Sequence, residues 1–196
     1  YTTTYKNNIK VGTATLTIIG QGDYVGVKTR TFKINPIKVG KPTGKNLTYN
    51  GKSQTGVAKG TQYKLTGTAS AINAGGYTAT VALNDTKNYT WADGTTSAKK
   101  VGWNINPLSI ANATVSGLSD KEYTGSAIKP TPTVKLKVGG ITKTLKSGTD
   151  YAVAYKNNTK VGTATITITG KGNYTGSVTK TFKITSIKNV ALRRLY

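Results

Sequence analysis

The segment Tyr5 to Ile34, YKNNIKVGTATLTIIGQGDYVGVKTRTFKI, returns as nearly the same text at Tyr155 to Ile184, YKNNTKVGTATITITGKGNYTGSVTKTFKI, at an offset of 150 residues with no gap. A chain that repeats a segment repeats its local structure, so the fold must be built from modules. Each copy holds two runs with the period of a half-buried strand. Ala164, Ile166 and Ile168 face one way and Thr163, Thr165 and Thr167 the other; Phe182 and Ile184 then oppose Thr181 and Lys183. Between the runs lies Gly170-Lys171-Gly172-Asn173, where Gly and Asn reach positive φ at little cost. The repeated unit is two strands and their turn.

The surroundings extend that unit. Residues 1–36 read as the C-terminal half of a module, with a strand from Val11 to Ile19 and another through Phe32 and Ile34. Ile34-Asn35-Pro36 recurs as Ile105-Asn106-Pro107, and a proline just after a strand suits a stiff junction between domains. Residues 37–107 read as a companion module, with Tyr77, Ala79, Val81 and Leu83 alternating along one run and Val101, Trp103 and Ile105 along the last. Asn88-Tyr89-Thr90 echoes Asn173-Tyr174-Thr175, and Tyr49-Asn50-Gly51 echoes Tyr123-Thr124-Gly125. Residues 108–185 hold one full module, including a hairpin at Gly139-Gly140. Residues 186–196 take the place where Leu108 to Asn112 opens that module, and read as the first strand of a further repeat or an exchanged strand. No apolar stripe of helical period appears. The expected fold is all-β: tandem small antiparallel β-sandwiches in an extended arrangement.

The residue types present narrow the chemistry. The chain has no Cys, His or Met, which removes thiol nucleophiles, imidazole bases, the usual serine triad and zinc sites. Its acids are Asp23, Asp85, Asp93, Asp120, Glu122 and Asp150, too scattered for a local calcium loop. Asp120 and Glu122 would share a strand face, but their neighbours suit a solvated turn. The expectation is a protein that is not an enzyme and needs no cofactor or metal. No run approaches the roughly 18 apolar residues of a membrane span, and the N-terminus lacks the pattern of a signal peptide.

Net charge is +22, and nearly all of the excess is Lys, with Arg only at Arg30, Arg193 and Arg194. Such a chain attracts polyanions and repels its own kind at long range. Specific nucleic-acid recognition is not expected, because base and phosphate readers favour the bidentate guanidinium and no helix is available to enter a groove. Lys on outward strand faces also protects sheet edges. The Asn-X-Thr triplets at Asn46, Asn88, Asn112, Asn157 and Asn173 read as turns and strand edges.

The stretch GTDYAVAYKNNTKVGTATITITGKGNYTGSVTKTFKI resembles the immunoglobulin-like repeats strung in tandem in secreted and surface proteins of Gram-positive bacteria. YNGKSQTGVAKGTQYKLTGTASAINAGGYTATV, with Tyr89-Thr90-Trp91 and Trp103-Asn104-Ile105 after it, is similar to the mucin-binding-associated repeat that accompanies them. The resemblance implies a β-sandwich fold and an extracellular location, at the bacterial cell surface or secreted, and supplies no catalytic residues.

Three functions follow as expectations. The first is a structural stalk or spacer in a surface adhesin or fibre. The second is a weak module for glycans or polyanionic cell-wall polymers, with Trp91, Tyr63 and Tyr89 as ring platforms; a core role for each is the alternative. The third is a fibre subunit whose neighbouring copies complete each other head to tail through unpaired terminal strands, with Ile187, Val190, Leu192 and Leu195 on the exchanged strand. Against the third stands the reading of the chain as a piece of a longer protein.

Overall fold

The computed structural model describes residues 1–187, and among them the chain is all-β with no helix. Alternation places the long strands, because each needs one apolar face to bury. The first copy of the repeat forms β1 (Thr2–Lys6), β2 (Gly12–Ile19) and β3 (Val27–Ile34), an antiparallel sheet of order β1-β2-β3. The next segment forms β4 (Ile37–Val39), β5 (Asn46–Thr48), β6 (Gln54–Thr55) and β7 (Tyr63–Gly67). It continues with β8 (Ser70–Ala71), β9 (Gly75–Leu83), β10 (Tyr89–Trp91) and β11 (Lys99–Asn106). Its main sheet runs β5-β11-β9-β7, with β4 paired to β10 and β6 to β8.

The remaining described residues form β12 (Leu108–Ser109), β13 (Thr114–Ser116), β14 (Lys121–Glu122), β15 (Thr133–Val138) and β16 (Ile141–Thr144). β17 (Tyr151–Lys156), β18 (Gly162–Gly170), β19 (Tyr174–Thr175) and β20 (Ser177–Thr185) complete the set. The main sheet here runs β14-β20-β18-β17, beside a β13-β15-β16 sheet and a β12-β19 pair. The two four-stranded sheets therefore share one plan, in which a short early strand flanks the last strand. A parallel first-strand pair, β4 with β10 and β12 with β19, also recurs.

That plan corrects the expectation of purely antiparallel sheets. The β4–β10, β5–β11, β12–β19 and β14–β20 ladders are parallel, and the long neighbouring strands are antiparallel. Period-two alternation fixes which face a residue takes but carries no strand direction, and ladders of two or three residues leave little periodic signal.

Two compact units are present. Among the described residues the first comprises 1–45, 55–69 and 77–103, and the second 46–54, 70–76 and 104–187. In the first, Ala79, Val81, Val101 and Trp103 are buried; the Trp103 ring stacks on Tyr77 with centroids 4.7 Å apart, and its indole N–H donates to Thr68 O at 2.7 Å. Gly56 lies directly against that indole, in space a Cβ would have to share with the ring. In the second unit, Ala164, Phe182 and Ile184 are buried under Leu118, Ile128 and Tyr155. Val134, Leu136 and Val138 point inward while Lys135 and Lys137 stay exposed, as the alternation requires.

Candidate functional site

The aromatic residues singled out as sugar platforms occupy one neighbourhood. Trp91 is 1% exposed, its indole N–H donates to Ser97 O at 2.8 Å, and Tyr63 packs against it with centroids 6.0 Å apart. Tyr63 is half-buried and donates its hydroxyl to Ala58 O at 3.1 Å. Tyr89 is half-buried two residues away in the same short strand. Trp91 thus presents no open ring face, and its polar edge is already satisfied. Of the residues assigned to an exchanged strand, Ile187 is exposed, and Val190, Leu192 and Leu195 lie outside the described residues.

A different set of residues is brought together twice. In the first unit, Asn88 O accepts from Ile37 N–H at 2.9 Å, and Asn88 Oδ1 accepts from Val11 N–H at 3.1 Å. In the second unit, Asn173 O accepts from Leu108 N–H at 2.9 Å, and Asn173 Oδ1 accepts from Ala74 N–H at 2.7 Å. One asparagine in each case holds the start of its own repeat with its backbone and the preceding repeat with its side chain. The donors correspond as well: Val11 and Ala74 each precede a glycine opening a long strand, Gly12 at φ +146° and Gly75 at φ +158°. Few other residues adopt that backbone, so the glycine determines where the preceding N–H points.

Each clasp is steadied by a neighbour. Asp85 accepts from the N–H groups of Lys87 and Asn88 and, through Oδ2, from Asn88 Nδ2 at 2.6 Å. This leaves Asn88 Oδ1 free to face Val11, and the Asn88 amide holds the Asp85 carboxyl below the usual carboxylate range. Asn173 uses Asn73 instead, donating from Nδ2 to Asn73 Oδ1 at 3.1 Å. Beside it, Tyr174 meets Tyr49 edge-on, with ring centroids 5.5 Å apart. Burial, then the Tyr49 neighbour, push the Tyr174 phenol up to about 12.

From the sequence alone these asparagines are turn and strand-edge residues, and nothing in their own triplets gives their second partners. The echo between Asn88-Tyr89-Thr90 and Asn173-Tyr174-Thr175 was the available signal. Among the described residues no cluster of three or more acidic side chains is placed to hold a metal, and no helix is long and apolar enough to cross a membrane. No protein-family model matches the chain, and no curated protein is significantly similar to it.

Proposed function

We propose that the chain is a structural spacer: tandem immunoglobulin-like β-sandwiches in an extended arrangement, forming part of the stalk of an extracellular bacterial surface protein. The repeats on this reading are residues 1–36, 37–107 and 108–185. The observation that carries it is the junction made twice by Asn88 and Asn173, each engaging two repeats at once. A link of Ile-Asn-Pro followed within one residue by a paired strand leaves few free torsions, and stacked units that touch only their neighbours make a rod whose length grows with their number. The bacterial surface location rests on the resemblance of the repeat text.

Small-angle scattering tests the proposal. An elongated particle that broadens into a wider distribution of shapes in an Asn88→Ala/Asn173→Ala double variant supports it; a compact particle in both would reject it.

A second reading, weak adhesion to polyanions, is favoured by one observation. Among the described residues the one ion pair is Lys99 with Asp93, so most of the 28 basic side chains have no acidic partner. Binding to a sulfated glycan that disappears between low and high salt supports that reading, and salt-insensitive binding counts against it.

A further inference from the structure

We infer that the outward face of the β13-β15-β16 sheet carries a binding recess for singly charged oxyanion esters, sulfate or phosphodiester, borne on a hydroxyl-rich chain, with Lys135 and Lys137 as its cations. The inference rests on the polyanion reading and gives it a place.

The hairpin of that sheet sets its repeat apart. Between Tyr123-Thr124-Gly125 and β17 lie residues 126–150, whereas only residues 52–62 separate the matching Tyr49-Asn50-Gly51 from β7. β7 and β17 correspond, each pairing antiparallel with the long strand of its main sheet. The longer segment supplies β15 and β16, and from Thr133 to Thr144 it holds three lysines and no acid.

Lysine on an edge strand guards against pairing between sheets. That account reaches Lys143 on β16 but not Lys135 and Lys137, because β15 is the middle strand. Both side chains are exposed on the outward face, and their positions are about 7 Å apart along the strand. The register surrounds them with hydroxyls instead of counter-charges: Lys135 stands opposite Thr114 on one side and Thr144 on the other, and Lys137 stands opposite Thr142. Neither ammonium has an ion-pair or hydrogen-bond partner among the described residues. Like charges this close repel each other, and an anion placed between them relieves the repulsion.

The surface at this point is concave. Ser109, Asn112, Thr114, Lys135, Lys137 and Thr142 border an open recess of about 450 Å³ whose wall contains no carboxylate. Ser109 Oγ accepts from Ala111 N–H at 3.3 Å and keeps its own proton to donate. The side chains of Asn112, Thr114 and Thr142 have no hydrogen-bond partner among the described residues. The recess therefore combines two ammonium groups with hydroxyls and a carboxamide that can both donate and accept. Ammonium groups serve an oxyanion as point charges, and the neutral groups match the hydroxyls of a sugar or polyol. A doubly charged phosphate monoester favours the guanidinium fork, and a nucleobase favours an aromatic face; the recess has neither.

Two charge-matched variants test the assignment. Lys135→Ala/Lys137→Ala removes the recess cations, and Lys28→Ala/Arg30→Ala removes an equally spaced basic pair on β3. Fluorescent dextran sulfate and glycerol phosphate oligomers of equal charge are titrated at low ionic strength, and the tighter of the two identifies the ester. For that probe the Lys135/Lys137 variant should bind about tenfold more weakly than the parent, and the Lys28/Arg30 variant within about twofold of it. Thr142→Val, which changes no charge, should weaken binding about threefold by removing a hydroxyl. Equal losses in the two double variants, or no loss in Thr142→Val, would overturn the recess and leave diffuse charge-driven adhesion standing. No binding of either probe by the parent would remove the polyanion reading and the inference together.

Discussion

Residues 5–34 and 155–184 share most of their wording and all of their strand register, yet they end in different surroundings. Ala14 opposes Phe32 and Gly12 opposes Ile34, as Ala164 opposes Phe182 and Gly162 opposes Ile184. Phe182 is 3% exposed and Phe32 is 42% exposed. In the second copy β14 flanks β20 and Leu118 and Ile128 cover Phe182; among the described residues nothing equivalent covers β3. The contrast separates two things that sequence similarity usually joins. Pairing between adjacent strands is set by the segment itself, through its turn and its alternation, whereas burial is set by what lies on top of it.

The largest test of that contrast is the aromatic pair. Phe182→Ala should cost about 3–5 kcal/mol by denaturant unfolding, as expected for a buried Phe. Phe32→Ala should cost under about 1 kcal/mol, nearer to a surface substitution. Equal costs would mean that the two faces are equally covered in solution.

Supplying a cover should close the gap. With residues 108–150 fused ahead of Tyr1, amide exchange across Val27–Ile34 should slow by about tenfold or more, since each factor of ten is about 1.4 kcal/mol of local protection. Exchange that stays as fast as in the parent chain would break the comparison.

A smaller effect is expected at the paired tyrosines. Tyr155 donates its hydroxyl to Pro130 O at 2.6 Å, and burial raises its phenol pKa, so Tyr155→Phe should lose about 1 kcal/mol. Tyr5 is exposed and has no such partner among the described residues, so Tyr5→Phe should fall within about 0.5 kcal/mol of the parent.

Titration should separate Tyr174 next. Its folded pKa is raised, so its contribution is complete below the ordinary tyrosine pKa near 10 and is lost as pH climbs toward about 12. Ultraviolet difference spectra of the parent against Tyr174→Phe should therefore show the Tyr174 phenolate forming late, with loss of the Tyr49 contact. Formation near 10 would mean that the ring is not covered in solution.

The smallest effect distinguishes the two clasps. The Asp85 pKa is depressed in the folded chain, so its hold on Asn88 persists above the ordinary value near 4 and weakens as pH falls through the depressed one. The Val11 amide resonance should shift in that acid range while that of Ala74, whose clasp uses Asn73, should not. Parallel movement of both amides would assign the change to general acid unfolding.

Much of the fold was legible. Runs such as Thr163 to Ile168 and Val134 to Val138 announce strands because Ile and Val recur at every second residue, and Gly139-Gly140 announces the hairpin between β15 and β16. The parallel ladders were not legible, since β12, β14 and β19 have two residues each and no alternation to read. Trp91 was ambiguous for another reason: an indole beside a turn suits a surface platform or a buried anchor equally, and only the acceptor at Ser97 O decides between them. The clasps escaped because Val11 and Asn88 are far apart in sequence and the interaction is a single backbone donor, which leaves no residue preference on the donor side.

One feature of the sheets reaches beyond folding. In β5–β11 and β14–β20 an early and a late strand of the same repeat lie side by side and run the same way. A pull applied along the polypeptide would drag those neighbours lengthwise past each other, loading their rungs together instead of peeling them off singly. Resistance to such a load is governed by the rate of forced unfolding and not by equilibrium stability, so even a repeat of modest thermodynamic stability can bear tension when an early and a late strand are arranged in shear.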